Sequence, residues 1–291
     1  MSLNVCVLGN SRKEFCKAMA KEGSSDDFTM YNTNYQGKLI NLVEPTKYPE
    51  KIVALANSLF LSDFVVFIVD ELNAETGEQI VMLDIFKKNG CLVTDLDLTR
   101  FVKGTALESW PVLSLEEAKR FILEELAASA RTGEPIIIVD HSFEVKGVGS
   151  VVLGIVHRGV VKVHDVLLCF PGKKELEVKS IQKNDVDVPE AVATDRLGIA
   201  LKRLKSDDVP RGSVLAKELK CVSEMENKIQ FSKFASKDSN VLYALHCLQS
   251  VPCKIENGKI LFEKQLALVP DVPIIFADLN KKIRVVGSID Q

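Results

Sequence analysis

Residues 135–168 read PIIIVDHSFEVKGVGSVVLGIVHRGVVKVHDVLL, and this stretch carries the clearest structural signal of the chain. Apolar residues recur at every second position on either side of a short glycine-containing segment, Lys146–Gly149. Such alternation is typical of strands with one buried face, and Gly147 and Gly149 supply the backbone freedom that a tight turn needs. The stretch therefore predicts a small closed β-barrel.

The sequence before this stretch has a different rhythm. Residues 1–130 alternate strand-like runs with helix-like segments, and the last helix opens with a capping box at Ser114 and Glu117. We place strands at Leu3–Leu8, Gly37–Val43, Phe64–Val69 and Cys91–Thr94, and helices at Lys13–Glu22, Pro49–Leu61 and Thr76–Asn89, with Gly90 ending the third helix. Strands that alternate with crossover helices predict a mainly parallel α/β sheet.

The sequence after residue 135 is rich in short β-type segments. Glycine and proline turn signals separate them, and no segment there predicts a long helix. A new polar stretch begins near Lys217, which places a second domain boundary there. We therefore predict an α/β domain over residues 1–130, followed by two small all-β barrel domains over residues 135–217 and 218–291.

The bulk composition argues against some classes of function. The chain has 37 Lys and Arg against 40 Asp and Glu, a net charge of −3, and so gives no overall signal for binding DNA or a membrane surface. No run reaches the roughly 18 apolar residues that a spanning helix needs, and no signal peptide is expected. Aromatic and basic residues do not interleave in the manner of single-strand-binding proteins.

Cysteine usage indicates a reducing compartment. The seven cysteines include no C-x-x-C pair, so we expect free thiols in a cytoplasmic protein. His246, Cys247 and Cys253 lie close together in the sequence, but their spacing fits no common zinc site, and no metal is predicted.

The opening loop follows a phosphate-binding pattern only in part. A working loop reads G-x-x-x-x-G-K-[ST] after a strand, and counting from Gly9 places Glu14, Phe15 and Cys16 at its second Gly, its Lys and its hydroxyl. A carboxylate in place of glycine has the wrong charge for a phosphate, and a thiol is a soft ligand for the hard cation Mg²⁺. Taken alone, the loop indicates an ordinary strand–turn–helix.

The stretch 135–168 closely resembles the second domain of translational GTPases of the elongation factor Tu type. That domain is expected to show I-x-D-x-F-x-[IV]-x-G-x-G-x-V-V-x-G-x-[IV]-x-x-G-x-[IV]-x-x-G-D, and the chain matches at Val139, Phe143, Val145, Gly147, Gly149, Val151, Val152, Gly154, Val156, Gly159, Val160, Val163 and Asp165. Two later segments, Asp195–Leu201 and Val209–Ala216, resemble the end of the same domain. The short loops and compact third domain are similar to the SelB-like branch, the selenocysteine-specific factors.

The resemblance implies that the α/β domain is a P-loop-like G domain whose GTP-binding motifs are degenerate. The family's D-x-P-G-H motif aligns with residues 44–48, so Glu44 replaces the Mg²⁺-binding Asp, Lys47 the γ-phosphate-sensing Gly and Tyr48 the catalytic His. Residues 17–43 are too few for a full first switch segment. Because phosphoryl transfer depends on positioning and charge stabilisation, no catalytic residue and no GTP hydrolysis are expected.

The resemblance also implies that part of the nucleotide site, its base-binding motifs, is retained. The guanine-reading [NT]-K-x-D motif aligns with Thr94–Asp97 and keeps its first and last residues, and the S-A-L element aligns with Gly104–Leu107. No cofactor is firmly predicted, but GTP or GDP could bind weakly, with Lys13 or Lys47 as the cation for a phosphate. The residues of such a degenerate site would be Gly9, Lys13, Thr94, Asp97, Thr105 and Ala106.

The resemblance also implies partners. Phe143 aligns where the family lines the pocket for the aminoacyl end of tRNA, although a rim or core aromatic of the barrel is an equally good interpretation. Arg158, Lys202 and Arg203 add positive charge that would follow a tRNA backbone or only face solvent. The expected partners are aminoacyl-tRNA and the ribosome, and neither DNA nor a membrane.

Three hypotheses remain open from the sequence. The first is an elongation factor of the SelB or Tu type that binds aminoacyl-tRNA, or another translation partner, without ordinary GTP switching. The second is a GTPase with an unconventional phosphate site. The third is a scaffold outside translation, with the degenerate G domain as a docking surface.

Overall fold

The computed structural model describes residues 2–235 and 241–291, and the predicted third domain includes the undescribed residues 236–240. The first part of the chain forms an α/β sheet in the order β2-β3-β4-β1-β5-β6-β7. Its strands are β1 Leu3–Gly9, β2 Lys21–Ser25, β3 Thr29–Tyr35, β4 Lys38–Glu44, β5 Phe64–Ile68, β6 Asn89–Val93 and β7 Val112–Leu113. Its helices are α1 Arg12–Met19, α2 Ile52–Phe60, α3 Ala74–Phe86, α4 Thr99–Val102 and α5 Leu115–Arg120.

Strands β4, β1, β5, β6 and β7 pair in parallel, which confirms the predicted sheet type. The prediction of a helix as far as Glu22 was wrong, because the chain leaves α1 at Met19 and forms β2. Strand β2 pairs antiparallel with β3, and β3 pairs antiparallel with β4. The short segment before Glu44 therefore becomes a β-hairpin at the sheet edge.

Gly90 does not end α3, contrary to the sequence prediction. The helix ends at Phe86, and Lys87 takes the left-handed conformation, with φ at 49°. Gly90 lies in β6 beneath the indole of Trp110, where an added Cβ would meet the Cη2 atom at 2.4 Å. The glycine is required there by close packing of the ring and not by a helix cap.

The second part of the chain closes into a barrel. Its strands are β8 Ile136–Val145, β9 Gly149–Arg158, β10 Val160–Lys162, β11 Val166–Phe170, β12 Lys174–Lys183, β13 Val186–Val188, β14 Glu190–Val192, β15 Arg196–Lys202 and β16 Val214–Ala216. The order β11-β16-β8-β9-β15-β12 closes because β11 also pairs with β12. Gly147 and Gly149 have φ of 83° and 103° at the β8–β9 turn, which confirms the predicted tight turn.

The third part forms another antiparallel sheet, in the order β17-β21-β20-β19-β22-β23-β18. Its strands are β17 Lys220–Glu226, β18 Gln230–Phe231, β19 Val241–His246, β20 Gln249–Glu256, β21 Lys259–Leu268, β22 Ile274–Ala277 and β23 Val285–Ile289. Within the described ranges, the part of the chain after residue 135 contains one short 3₁₀ turn, Ser206–Asp208, and no α-helix.

One hydrophobic cluster joins the three parts, and each part also has a separate cluster of its own. The largest cluster of buried apolar side chains combines Leu55 and Phe60 of α2 with Val214 of the second part and Leu245 and Val285 of the third. The ring of Phe60 packs edge-on against His246, with 6.2 Å between the ring centroids. Burial of this kind holds the parts together without a ligand. None of the helices that the structure describes is long and apolar enough to cross a bilayer.

Candidate functional site

The turn after β1 is too short to wrap around a phosphate. Only Asn10 and Ser11 separate β1 from α1, so Glu14, Phe15 and Cys16 lie inside the helix and not in a loop. Phe15 and Cys16 are buried in the core, whereas Lys13, the predicted phosphate ligand, is exposed on the outer face of the helix.

Gly9 itself is tightly enclosed. Its φ is 96°, and an added Cβ would lie 1.6 Å from the carbonyl oxygen of Ile68 in β5. Its backbone N–H donates to Oε1 of Gln79 at 2.9 Å. In a working phosphate loop this N–H would face a phosphate. Here it is hydrogen-bonded to a side chain of α3 instead.

Arg12 occupies the centre of the region, and sequence reasoning missed it. Its Nη1 donates to the carbonyl oxygen of Gly9 at 2.8 Å, and its Nη2 donates to the carbonyl oxygen of Tyr48 at 2.7 Å. Its Nε lies 3.5 Å from Oε1 of the buried Glu44. The guanidinium thus joins the three elements that meet here, and its charge is balanced by a carboxylate of the protein.

Glu44 is held at the end of β4 by a second partner. The hydroxyl of Tyr31 donates to its Oε2 at 3.0 Å. Burial, together with the adjacent carboxylate of Glu44, raises the pKa of Tyr31 above its usual value. Glu44 therefore accepts from Tyr31 and faces Arg12, in the position where the resemblance implies a metal-binding Asp.

Tyr48 continues this network towards the third part of the chain. Its hydroxyl lies 3.0 Å from the carbonyl oxygen of Glu75 and 3.1 Å from Oε2 of Glu78. Burial, with Glu78 beside it, raises the pKa of Tyr48. The side chain is therefore a neutral donor fixed in the interior, and the water-positioning role of the family His has no counterpart in it.

Arg284 of the third part completes the network. Its Nε donates to Oε1 of Glu78 at 3.0 Å, its backbone N–H donates to the same oxygen at 2.9 Å, and its Nη2 binds Oε2 at 2.5 Å. Its Nη1 donates to the carbonyl oxygen of Pro49 at 2.8 Å. We call Gly9, Arg12, Tyr48, Glu78 and Arg284 the internal chain, because successive members are hydrogen-bonded from the first part to the third.

Further carboxylates line the turn after β1. Ser11 Oγ donates to Oδ2 of Asp70 at 2.6 Å, and Asn10 Nδ2 donates to Oε1 of Glu71 at 3.0 Å. Because Glu44 is paired with Arg12, it is Asp70 and Glu71 that make the surroundings of the turn acidic. An acidic field opposes the approach of a phosphate.

Thr94 and Asp97 follow the carboxyl end of β6, where α/β folds bind ligands, but both are already engaged. Thr94 Oγ1 donates to the carbonyl oxygen of Val69 at 2.7 Å and accepts from the N–H of Leu96 at 3.0 Å. Asp97 Oδ1 accepts from the N–H of Thr99 at 3.0 Å, and hydrogen bonding to Thr99 lowers the pKa of Asp97. Both side chains therefore shape the loop to which they belong.

Thr105 and Ala106 lie elsewhere. They begin the 3₁₀ helix Ala106–Ser109, and the N–H of Ala106 donates to Oδ1 of Asp84 at 2.9 Å. Asp84 belongs to the last turn of α3, which ends at the amino-terminal edge of the sheet. The structure therefore does not bring Thr105 and Ala106 together with Thr94 and Asp97.

The register of β6 and β7 explains this separation. Val93 pairs with Leu113, so Ser114 is the residue that follows the strand next to Thr94. Gly104–Leu107 precedes β7 instead of following it. Ser114 is used as a helix cap, with its Oγ accepting from the N–H of Glu117 at 3.3 Å.

The predicted tRNA-facing residues lie at two ends of the second barrel. Phe143 pairs with Val151 near the β8–β9 turn and is exposed. Arg158 lies at the other end of β9, opposite Ile136, with its Nη1 3.7 Å from Asp271. The register therefore separates Arg158 from Phe143.

Lys202 and Arg203 end β15, and both form ion pairs. Lys202 Nζ lies 2.6 Å from Oε1 of Glu177, and Arg203 binds Glu175. Val151 pairs with both Ala200 and Phe143. Lys202, two residues after Ala200, therefore lies at the same end of the barrel as Phe143. Part of the predicted positive charge is thus neutralised on the protein.

A buried cluster between the first and second parts was missed by sequence reasoning. Asp140 is fully buried and binds Arg196, and His141 Nδ1 lies 2.9 Å from its Oδ1. Burial opposes ionisation of Asp140, but Arg196 and His141 hold its pKa at about 2. Arg196 Nη2 also donates to Oγ of Ser24 in β2 at 3.3 Å. In the sequence, this cluster is indicated only by Asp140, a charged residue at an inward-facing position of a strand.

His246 has no free ring nitrogen for a metal. Its Nε2 accepts from the N–H of Val269 at 2.8 Å, and its Nδ1 lies 3.1 Å from the carbonyl oxygen of Pro273. Burial lowers the pKa of His246 to about 4, so the imidazole is neutral. Among the residues that the structure describes, no group of His, Cys, Asp and Glu is placed to hold a metal ion.

Comparison with known proteins gives the fold and the family. Residues 149–216 match the family model described as elongation factor Tu domain 2. The whole chain superposes on the crystal structure of translation elongation factor SelB from Methanococcus maripaludis in complex with the GTP analogue GppNHp, with a TM-score of 0.85, 20% identity, and coverage of 99% of this chain and 79% of that one. A bacterial selenocysteine-specific elongation factor, EF-Sec, gives a TM-score of 0.81 at 16% identity, covering 100% of this chain and 58% of that one.

Sequence relatives agree with these structures. A protein of Methanocaldococcus jannaschii described as uncharacterized is 33% identical over 288 residues, which cover 93% of this chain and 94% of that protein. The selenocysteine-specific elongation factor of the same organism is 30% identical over 170 residues, and the match spans 57% of this chain but only 36% of that factor. The predicted fold, a P-loop-like G domain followed by two β-barrel domains, is confirmed. The chain belongs to the same family as the uncharacterized Methanocaldococcus jannaschii protein, contains a segment that matches elongation factor Tu domain 2, and shares its fold with the SelB and EF-Sec elongation factors.

Proposed function

We propose that this protein is a translation factor that binds aminoacyl-tRNA, or another component of the translation apparatus, without binding or hydrolysing GTP. One observation carries the proposal: the internal chain fills the region that a nucleotide phosphate would occupy and connects it to the third domain. In this proposal the protein acts in the cytoplasm and needs no cofactor.

The first argument concerns charge. A phosphate group is stabilised by backbone N–H donors and by a cation that is free to pair with it. Here the N–H of Gly9 binds Gln79, and the guanidinium of Arg12 faces Glu44. A nucleotide would have to displace both partners and leave the buried Glu44 without its cation, which is costly.

The second argument concerns the domain arrangement. Switching GTPases change the contacts of their domains when segments near the γ-phosphate are ordered or released. In this protein Arg284 binds Glu78 and the carbonyl oxygen of Pro49 directly. Contacts between the first and third domains are therefore supplied by protein groups alone, and no γ-phosphate is needed to make them.

The nucleotide part of the proposal is tested by titration. Fluorescent GTP and GDP analogues are added with and without Mg²⁺, and we expect dissociation constants weaker than about 1 mM. Micromolar binding that depends on Mg²⁺ would contradict the proposal and favour a GTPase with an unconventional phosphate site.

The partner part is tested with RNA. Gel shifts and fluorescence anisotropy with aminoacylated and deacylated tRNA at low salt should show binding that favours the aminoacylated form. Phe143→Ala should weaken it, and Val186→Ala, which removes an even more exposed apolar side chain on β13, should not. No binding of either tRNA, with a pull-down that returns no ribosomes or tRNA, would overturn this part and favour a scaffold outside translation.

A further inference from the structure

Two short segments of the chain, far apart in sequence, each combine phenylalanine with a basic residue. The first is Arg100–Lys103, RFVK, in and just after α4 of the first domain. The second is Phe231–Phe234, FSKF, at the end of β18 in the third domain. Each segment is too short to indicate a binding site by itself. Because more than a hundred residues separate them, the sequence does not show that they belong together.

The fold places the two segments side by side. The Nζ atom of Lys233 lies 3.8 Å from the position that a Cβ would take on Gly104, the residue next to Lys103. The same Nζ lies 5.1 Å from the ring centroid of Phe234. We call these two segments together the aromatic seam.

The aromatic rings of the seam are open to solvent. Phe101 is 49% exposed, Phe234 47% and Phe231 36%, in a protein that buries most of its large apolar side chains. Exposed aromatic side chains that lie together commonly mark a binding surface, because contact with a partner removes their apolar rings from water, which is favourable.

The cations of the seam are free of acidic partners. Among the residues that the structure describes, Arg100, Lys103 and Lys233 form no ion pair, whereas Lys202 and Arg203 are both paired with glutamates. One carboxylate is close by, since Glu108 accepts from the N–H of Gly104 at 2.8 Å. The seam therefore offers unpaired positive charge next to flat aromatic faces.

We propose that the aromatic seam binds single-stranded RNA. Bases stack on exposed aromatic rings whatever their identity, and nearby cations follow the phosphate backbone. The seam lies across the first and third domains and includes no residue of the second domain, to which Phe143 belongs. It is thus a separate site, and its RNA need not be the tRNA of the proposed function.

The test is a titration of the full-length protein with a fluorescein-labelled ten-nucleotide oligo(U) RNA at low salt. We expect micromolar binding that Phe101→Ala with Phe234→Ala weakens about a hundredfold, since each ring stacks one base and each stacked base contributes roughly a factor of ten. Val186→Ala with Val160→Ala is the matched control and should bind as the wild type does, because these residues are also exposed apolar side chains.

The salt dependence gives a second readout. Each phosphate contact with single-stranded RNA contributes about −0.7 to the slope of log K against log salt, so Lys103→Gln with Lys233→Gln should reduce the slope by about 1.4. Equal oligo(U) binding by the Phe101→Ala, Phe234→Ala variant, or no binding by the wild type, would overturn the proposal. Association of the protein with itself that the same variant abolishes, without RNA binding, would assign the seam to a protein contact. Aminoacyl-tRNA binding by the seam variants should be unchanged, which separates this test from that of the proposed function.

Discussion

At position 12 an arginine lies one residue before the lysine that the sequence pattern selected as a phosphate ligand. Both are basic residues at the start of α1, and local sequence does not distinguish them. Their partners do: Arg12 turns back to Gly9 and Tyr48, while Lys13 faces solvent. Because those partners lie in other elements, only the folded structure shows which of the two cations is bound inside the protein.

Arg12→Ala should destabilise the protein strongly. The buried Glu44 would keep its hydrogen bond from Tyr31 but lose its cation, and breaking one side of a buried ion pair costs about 3–5 kcal/mol of unfolding free energy. Urea unfolding followed by circular dichroism measures the change. Lys13→Ala is the control and should stay within about 0.5 kcal/mol of the wild type. Equal stability of the two variants would contradict the central position of Arg12.

Two histidines, the buried His246 and the half-buried His157, should make stability fall in acid. Burial lowers the pKa of His246 to about 4, and burial with Arg131 beside it lowers the pKa of His157 to about 3. The unfolded chain takes up protons below about pH 6.5 and the folded protein does not, so stability rises with pH between about 4 and 6.5. At pH 5 each histidine should remove about 2 kcal/mol relative to pH 7.

Unfolding free energies at pH 5, 6 and 7 measure this slope. His246→Gln removes one of the two titrating groups, so its curve should be flatter than that of the wild type even if the variant is less stable at pH 7. A slope unchanged by this substitution would show that His246 is not the group responsible.

At the scale of elements, regular patterns were predicted well and edge elements were not. The β8–β9 hairpin follows from alternation and glycine placement, and the Ser114 capping box forms as predicted. The β2–β3 hairpin was missed because its residues, Lys21–Tyr35, are largely polar in sequence, although Phe28, Met30 and Tyr31 are buried in the fold. Its strands exist because β4 offers an edge for pairing, which is a tertiary cause.

Gly90 gives a test at this scale. Gly90→Ala should destabilise the protein by about 1–3 kcal/mol, because the new methyl group would overlap the indole of Trp110. Gly77→Ala, in α3, has open space around the added Cβ and should stabilise the helix by up to about 1 kcal/mol. Thermal unfolding of the two variants measures the contrast. A stabilising Gly90→Ala would mean that the ring does not pack as described.

At the scale of the whole molecule, the candidate site could be predicted only as a set of losses. The sequence aligned Glu44, Lys47 and Tyr48 with a family motif, yet nothing in it indicated that Glu44 and Tyr48 would be bound by Arg12. Arg284 lies 206 residues from its partner Glu78 in the sequence, and no local pattern joins them. Long-range pairing of single charged residues leaves no period or motif to detect.

The ion pair of Arg284 with Glu78 should hold the first and third domains together. Arg284→Met and Glu78→Gln each leave one buried polar group without its partner, so each should cost about 3 kcal/mol or more of unfolding free energy. Because both changes break the same contact, the double variant should be more stable than the sum predicts, by about 0.5–3 kcal/mol. Lys87 and Asp290 also join these domains, but both are largely exposed, and Lys87→Met with Asp290→Asn should show almost no coupling.

Small-angle X-ray scattering should show a larger radius of gyration for Arg284→Met and no change for Lys87→Met. If the scattering of Arg284→Met matches that of the wild type, the shared hydrophobic core and not the internal chain fixes the domain arrangement, and the protein would keep its shape by packing alone.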